Sequence, residues 1–286
     1  MHFPVLIEET LKYLAVKPEG VYIDATAGMG GHTRAIAQRL TEGLAIAADR
    51  DAESLELARK NTAQWRERIR YVHAPFSGLQ PALAGLGIGK ADGLVADLGV
   101  SRYQLTEPER GFTLMAEGPL DMRMDRSQET TAADLVNFTA EKALADLIYQ
   151  LGEERRARRI ARAIVRARPI RNTAHLARVI EQAAPRTGRL HPATQTFMAL
   201  RLAVNEEQNE LDCLLGALPE LVRSGGRVVF ISFMSLEDRK VKQSFQRLSR
   251  EGMASLLTKH VVRPSDEEIR ENPPSRSAKL RALELL

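Results

Sequence analysis

Glycine and acidic residues follow two strand-like runs near the start of the chain, and their spacing favours a nucleoside-binding site. The turn Ala27-Gly28-Met29-Gly30-Gly31 lies between the apolar run 21–26 and a helical pattern that begins at His32. A glycine turn before a helix lets the backbone approach a ligand, and the helix N-terminus offers free N–H groups there. Asp49 ends the next strand-like run about twenty residues on, where an acid binds ribose hydroxyls. We predict a nucleoside pocket; a turn that only reverses the chain is the alternative.

The glycine pattern leaves the type of nucleoside open between a dinucleotide and S-adenosylmethionine. A dinucleotide fingerprint needs a further glycine at position 33, where this chain has Thr33. Two more strand-like runs are followed by Phe76 and by Asp97. Ligands of open parallel sheets bind outside the carboxyl ends of the strands, so these residues should converge on the pocket. Phe76 would stack on an adenine unless it packs in the core, and Asp97 would lie where group transfer occurs.

Strand-like and helical patterns alternate along the chain, which predicts βαβ units and a parallel sheet. Strand-like runs begin near positions 21, 44, 69 and 91, and later ones cover 227–233, 256–262 and 279–285. The fold class is therefore an α/β protein with a seven-stranded Rossmann-like sheet, whose last two strands form an antiparallel edge. A capping box at Ser235 predicts a helix that runs to about Ser249.

One crossover is far too long for a simple βαβ unit. Between Asp97 and Arg227 there are 129 residues, whereas such a unit takes about thirty. The helix before the fifth strand is predicted at 193–218. The chain should thus contain a discontinuous domain, 1–104 and 193–286, interrupted by an inserted helical region, 105–192.

The inserted region is rich in arginine. Helical patterns cover 142–151 and 173–184, and eight arginines lie between them around an apolar stripe: Arg155, Arg156, Arg158, Arg159, Arg162, Arg166, Arg168 and Arg171. Such a cluster favours contact with a phosphate backbone; a merely solvated helix face is the alternative. The loop 109–125 mixes glycine, proline, acids and arginines. It is predicted to face substrate, unless Asp121 and Arg123 only form ion pairs within the loop.

Composition excludes several classes of protein. With 286 residues, 44% of them hydrophobic, the chain can bury a substantial core, and its net charge of +4 permits an anionic partner. The single Cys213 excludes a disulfide framework and indicates a reducing compartment. The histidines lack close metal-ligand spacing, and no eighteen apolar residues run together, so we expect no metal, no membrane and a cytoplasmic location.

Several motifs together resemble one known family, the bacterial 16S rRNA cytosine-N4 methyltransferases, over nearly the whole chain. These motifs are Asp24-Ala25-Thr26-Ala27-Gly28-Met29-Gly30-Gly31-His32, Asp49-Arg50-Asp51, Asp97-Leu98-Gly99-Val100-Ser101, Glu109-Arg110-Gly111-Phe112, Gly118-Pro119-Leu120-Asp121-Met122-Arg123-Met124-Asp125, His191-Pro192-Ala193-Thr194 and Ser235-Leu236-Glu237-Asp238-Arg239. The chain departs from the family pattern at Met198, Met234, Arg102 and Tyr103. The departures at Met198 and Met234 bear on RNA contact or catalysis rather than on the cofactor.

The resemblance implies a class I methyltransferase that transfers a methyl group from S-adenosylmethionine to the exocyclic N4 amine of a cytosine in the decoding region of 16S rRNA. The partner is 16S rRNA, free or in the small ribosomal subunit. The implied cofactor contacts are Gly30, Gly31, His32, Asp49, Phe76, Asp97 and Gln104.

Asp97 is the catalytic candidate, because its carboxylate could accept a hydrogen bond from the amine and direct its lone pair; the backbone carbonyls of residues 98–101 are the alternative acceptors. Tyr103 is placed to stack on a base turned out of its helix. The candidates for RNA contact are Ser101, Tyr103, Asp121, Arg123, Arg155, Arg159 and His191. Two alternatives remain at this point, an NAD-dependent oxidoreductase and a non-enzymatic RNA-binding assembly factor on the same scaffold.

Overall fold

The computed structural model describes residues 4–186 and 191–286, which form two compact units. The first unit runs to Gly99 and resumes at Asn209, and the second is Val100–Gln208. The second unit is thus longer at both ends than the predicted insertion 105–192. At its C-terminal end the extension is a helix, Thr194–Val204, which packs on another helix of the same unit, Glu141–Gly152.

The seven strands all lie in one sheet of the first unit. They are β1 (Val21–Asp24), β2 (Leu44–Asp49), β3 (Ile69–His73), β4 (Ala91–Asp97), β5 (Val222–Ser232), β6 (Ala254–Leu256) and β7 (Lys279–Leu285), in the order β3-β2-β1-β4-β5-β7-β6. The first five are parallel, and β7 runs antiparallel to both of its neighbours. The predicted seven-stranded sheet with an antiparallel edge is confirmed.

The helices of the described chain are α1 (Ile7–Leu14), α2 (Gly31–Ala37), α3 (Ala52–Asn61), α4 (Phe76–Gly85), α5 (Arg102–Thr106), α6 (Ala132–Phe138), α7 (Glu141–Gly152), α8 (Ala157–Arg166), α9 (Thr173–Ala183), α10 (Thr194–Val204), α11 (Glu207–Leu221), α12 (Ser235–Arg250) and α13 (Asp266–Glu271). Short 3-10 turns occupy Ala63–Arg68, Pro108–Arg110 and Pro273–Ser277. Buried residues from both faces of the sheet and from its flanking helices form the core of the first unit. A separate apolar core, built mainly from α6 to α10, supports the second unit.

Three boundaries differ from the sequence prediction. The fifth strand begins at Val222 rather than 227, because a register shift between Ala91 and Gly93 of β4 lets the strand continue through Ser224, Gly225 and Gly226. The sixth strand ends at Leu256, and Val262 makes only an isolated bridge to β7.

The third difference is that the predicted helix 193–218 is two helices, α10 and α11. Glu206 adopts a left-handed conformation between them, with φ of 47°. The Asn205 side chain accepts a hydrogen bond from the Met124 N–H at 2.7 Å and donates to the Met122 carbonyl at 2.8 Å. These tertiary bonds hold the break where no glycine or proline marks it.

Candidate active site

Three neighbouring parallel strands each end in an aspartate. Asp24, Asp49 and Asp97 are the last residues of β1, β2 and β4, and β1 pairs with both of the other strands. Because the carboxyl ends of parallel strands meet at one edge of a sheet, the three carboxylates lie in one region of the first unit. The convergence predicted for Asp49 and Asp97 is present, and Asp24 joins them.

The Asp49 carboxylate is held by two backbone donors. The Gly28 N–H donates to Oδ2 at 2.7 Å, and the Asp51 N–H donates to Oδ1 at 2.9 Å. Burial raises the pKa of Asp49 to about 6, although both bonds favour the ionised form. Each carboxylate oxygen has a further lone pair, which suits the paired hydroxyls of a ribose.

Asp24 is buried against the helix that follows the glycine turn. The Thr33 hydroxyl donates to its Oδ2 at 2.6 Å, and the Thr26 N–H donates to its Oδ1 at 3.2 Å. Burial raises the pKa of Asp24, while the His32 side chain and the Thr33 bond act in the opposite direction. Thr33, the residue that breaks the dinucleotide fingerprint, therefore bonds a buried carboxylate.

His32 is buried beside Asp97. The Nε2 atom lies 3.1 Å from the Val5 carbonyl oxygen, which can only accept, so Nε2 carries a proton. This bond directs Nδ1 toward Asp97, whose Oδ2 is 3.9 Å away. The ring orientation is thus set by the segment before α1.

The Asp97 carboxyl group has no fixed cation among the residues that the structure describes, and its Oδ1 is buried without a hydrogen-bond partner there. Burial raises the pKa of Asp97 to about 7; His32 opposes this shift, whereas the nearby Asp24 and Glu237 carboxylates add to it. Glu237 is itself buried and accepts the Met234 N–H at 3.2 Å.

These observations fit S-adenosylmethionine. An unpartnered oxygen and several buried carboxylates favour a ligand that brings positive charge and N–H donors, because either would offset their desolvation. S-adenosylmethionine carries a sulfonium and an ammonium group, and its ribose has paired hydroxyls of the kind that a carboxylate such as Asp49 can bind. The donor set of this chain is therefore suited to it.

Two further predicted cofactor residues depend on close packing. Gly30 has φ of 87°, and a Cβ there would lie 2.9 Å from Cγ2 of Thr62, so the turn requires glycine. A Cβ at Gly31 would lie 2.9 Å from the Pro4 side chain.

Phe76 begins α4 and is partly buried against the core of the first unit. Part of its surface therefore packs in the core, which was the alternative to stacking on an adenine.

The remaining predicted cofactor residue, Gln104, belongs to the second unit. It is buried, and its Oε1 accepts the Ser101 N–H at 2.9 Å while the Ser101 hydroxyl accepts the Gln104 N–H at 3.3 Å. This capping box fixes the start of α5. Tyr103 is half-buried, with the Arg110 guanidinium 5.8 Å from its ring centroid.

The loop that follows α5 is held together by its own charges. The Arg123 guanidinium donates to both Asp121 oxygens, at 2.7 and 3.0 Å, and the buried Arg110 donates to the Arg123 and Met124 carbonyls. Burial alone would raise the pKa of Asp121, but the bonds and charge of Arg123 lower it below its usual range. The pair thus has the structural role that was the alternative to substrate contact.

Of the basic candidates in the second unit, Arg155 and Arg159 are exposed. Residues three to four apart share a helix face, and α8 presents Arg158, Arg159, Arg162 and Arg166 opposite its buried residues Ala157, Ile160, Ala161 and Ile164. We call Arg158, Arg159, Arg162 and Arg166 the arginine stripe. His191 lies 2.9 Å from a Glu181 oxygen through Nε2, and its Nδ1 accepts the Ala193 N–H.

Sequence reasoning gave no role to Asp24, Thr33 or Glu237. A carboxylate that ends a strand before a glycine turn was a usable signal for Asp24. Glu237 offered no signal, because only the folded sheet brings the start of α12 near Asp97 at the end of β4. The predicted capping residue was also wrong: Met234, not Ser235, is the N-cap of α12.

Residues 4–186 and 191–286 contain neither a metal-binding cluster nor a membrane-spanning helix. No three or more His, Cys, Asp or Glu side chains are grouped there in a way that could hold a metal ion. None of the helices in these ranges has both the length and the apolar character needed to cross a bilayer.

Comparison with known proteins identifies the family. The model of the MraW methylase family matches residues 1–286. The Ribosomal RNA small subunit methyltransferase H of Solibacter usitatus is 64% identical over 285 residues, covering 100% of both chains. The same enzyme of Koribacter versatilis is 49% identical, covering 98% of this chain and 93% of its own. An rRNA methylase structure from Streptococcus thermophilus, 12% identical, has a TM-score of 0.43 and covers 100% of this chain and 99% of its own.

The match covers both units, including the arginine-rich second unit. It confirms the predicted enzyme class, the methyltransferase fold class and S-adenosylmethionine as the cofactor, and it does not favour the NAD-dependent alternative. By sequence along its entire length, this chain belongs to the MraW methylase family.

Proposed function

We propose that this enzyme methylates the exocyclic N4 amine of a cytosine in the 16S rRNA of the small ribosomal subunit. The observation that carries the proposal is Asp97, a half-buried carboxyl group at the end of β4 whose Oδ1 has no hydrogen-bond partner among the described residues. The names of its relatives, which act on small-subunit ribosomal RNA, support the choice of substrate. Because that RNA is assembled in the cytoplasm, we propose that the enzyme works there.

The cofactor would be held by the first unit through Gly30, Gly31, His32, Asp49, Phe76 and Asp97, and we keep Gln104 as a further proposed contact. When bound, S-adenosylmethionine supplies an electrophilic methyl group on a positively charged sulfur. The Gly28 and Asp51 N–H groups hold the Asp49 carboxylate in place to accept ribose hydroxyls. Val5 holds the His32 ring against Asp97.

Asp97 is proposed to act on the amine. A cytosine N4 amine is conjugated with its ring, so its lone pair must be directed out of that conjugation before it can attack. A hydrogen bond from the amine to the Asp97 carboxylate orients the nitrogen and stabilises the positive charge that develops on it. With a pKa of about 7, the Asp97 carboxylate can also take up the proton that the amine loses.

The second unit is proposed to bind the RNA. The arginine stripe, with Arg155 beside it, presents guanidinium groups suited to phosphate oxygens. Tyr103 remains a proposed stacking residue. Asp121, Arg123, Ser101 and His191 support the fold of this unit through the bonds described above, and we propose no direct RNA contact for their bonded groups.

The decisive experiment is methyl transfer to small-subunit particles that lack the modification, followed by mass mapping of the RNA. We expect one added methyl group on a cytosine base in the decoding region. Naked 16S rRNA, tested beside the particles, decides which form is the substrate. Binding of RNA without any transfer would instead support the non-enzymatic assembly factor. Stabilisation against heat by S-adenosylmethionine but not by NAD is the accompanying check on the cofactor.

A further inference from the structure

Phe138 is an aromatic residue of the second unit that the proposed chemistry leaves unused. It ends α6, and 81% of its surface is exposed, whereas Val136 on the same helix is completely buried. Single exposed apolar side chains are common, so exposure alone assigns nothing to it. Two further features distinguish Phe138: its backbone is held by side-chain hydrogen bonds, and charged residues lie nearby.

The turn that carries Phe138 is tied to residues 168–170 by the side chains of Arg168 and Asn137. The Arg168 guanidinium donates to the Val136 carbonyl at 2.7 Å and to the Thr139 carbonyl at 2.5 Å. The Asn137 amide bonds both the N–H and the carbonyl of Ile170, at 2.7 and 3.1 Å. Phe138 is therefore an exposed ring on a braced turn, which loses little conformational freedom when a ligand covers it.

The arginine stripe passes beside this turn. Arg162 lies 3.4 Å from a carboxylate oxygen of Glu141, three residues after Phe138. Arg166 ends α8 two residues before Arg168, whose guanidinium bonds the residues on either side of Phe138. The turn that carries Phe138 is thus bonded directly by Arg168, and three residues beyond Phe138 it is joined to the arginine stripe through Glu141 and Arg162.

This combination is the one that single-stranded nucleic acid requires. Guanidinium groups follow the phosphates, and unpaired bases stack on aromatic side chains. Paired RNA keeps its bases inside the helix, so it offers no base to such a ring. We infer that Phe138 is a stacking platform for an unpaired base of the RNA substrate. This base is not the target cytosine but another nucleotide of the same strand. The inference rests on the proposed function, since RNA is the ligand.

The test compares variants of the full-length enzyme for binding to a short unstructured RNA oligonucleotide and to a fully paired RNA hairpin. Phe138→Ala should weaken binding of the unstructured RNA at least about fivefold and leave the hairpin unchanged. Phe138→Tyr should bind the unstructured RNA nearly as well as the wild type. Tyr149→Ala is the matched control, because Tyr149 is a 62% exposed aromatic residue of the same unit.

A spectroscopic readout separates stacking from general loss of affinity. Trp65 is the single tryptophan of the chain. A Trp65→Phe, Phe138→Trp double variant should show quenched fluorescence with the unstructured RNA and little change with the hairpin. Equal affinity of Phe138→Ala and the wild type for unstructured RNA, with no quenching in the double variant, would overturn the inference.

The two proposals can fail separately. If the wild type methylates particles while Phe138→Ala binds and turns over normally, the stacking inference is wrong and the proposed function stands. If the wild type neither binds RNA nor methylates particles, the proposed function is wrong and the inference falls with it. If Phe138→Ala binds RNA normally but loses a protein partner in a pull-down from ribosomal particles, the ring contacts protein instead.

Discussion

Asp97 and Asp121 show how differently one side chain can be used in the two units. Asp121 is the more buried, with 9% of its side chain exposed against 23% for Asp97. Yet the pKa of Asp121 is lowered, because Arg123 bonds both of its oxygens, while that of Asp97 is raised to about 7. A fixed partner, more than depth, decides which carboxylate stays ionised, and the one without such a partner is the one suited to a ligand.

The largest expected effect is the loss of catalysis when Asp97 is changed. Asp97→Asn should lower the rate of methyl transfer about 100-fold or more, because it removes the negative charge that stabilises the developing positive charge on the amine. Single-turnover assays on small-subunit particles measure it. Asp146→Asn is the control, since Asp146 is an exposed residue paired with Lys142. If Asp97→Asn turned over at the wild-type rate, Asp97 would have no catalytic role, and the functional contrast with Asp121 would be wrong.

The next effect in size is on stability, and it concerns Asp121. Asp121→Ala should lower the free energy of unfolding by about 2–3 kcal/mol, because the Arg123 guanidinium loses the acceptor that offsets its partial burial. Denaturant titration measures it, and Asp146→Ala should cost about 0.5 kcal/mol or less as an exposed pair. If Asp121→Ala were as stable as the wild type but inactive, Asp121 would have a functional role, like Asp97, and not a structural one.

A smaller effect should appear in the pH dependence of stability without cofactor. The folded-state pKa of Asp97 is raised above its value in the unfolded chain, so its contribution is present at low pH and is lost as pH rises through about 7. Between pH 6 and pH 8 the wild type should therefore lose about 1 kcal/mol of stability relative to Asp97→Asn. Asp49 titrates in both proteins and cancels in the difference. Parallel stability curves for the two proteins would contradict the raised pKa.

The smallest effect concerns the segment that orients His32. The Glu268 carboxylate accepts the Leu6 N–H at 2.7 Å, next to the Val5 carbonyl that holds the His32 ring. Glu268→Ala should weaken binding of S-adenosylmethionine about threefold, as expected for loss of a hydrogen bond worth under 1 kcal/mol. Glu268→Gln should restore it, because the amide oxygen still accepts. Calorimetric titration distinguishes the two variants; equal affinities in both would exclude this role.

The parts of the site that follow from local sequence were predictable. A strand that ends in aspartate before a helix is visible in the sequence, and parallel alternation places such ends together, so Asp49 and Asp97 were correctly grouped. The pairing of Asp121 with Arg123 was not decidable, because both a free and a paired geometry suit two charges in an irregular loop. Glu237 lies far along the chain from the glycine turn, and no local pattern connects them.

The fold shows the same difference between features that follow from local sequence and features that depend on long-range contacts. Strands β1 to β4 and β7 were placed by their apolar runs, whereas the break between α10 and α11 was missed. That break depends on bonds from Asn205 to residues more than eighty positions earlier, at Met122 and Met124. Tertiary contacts of this kind override helical periodicity and leave no sign in composition.

The position of β7 constrains how the enzyme is made. Residues Lys279–Leu285 lie between β5 and β6 in the sheet, so β5 has an unpaired edge until they have left the ribosome. Glu268, which fixes the segment over His32, is also translated late. During synthesis the growing chain therefore presents an open strand edge, the feature that promotes aggregation, and gains a complete cofactor site only after Glu268 has been added.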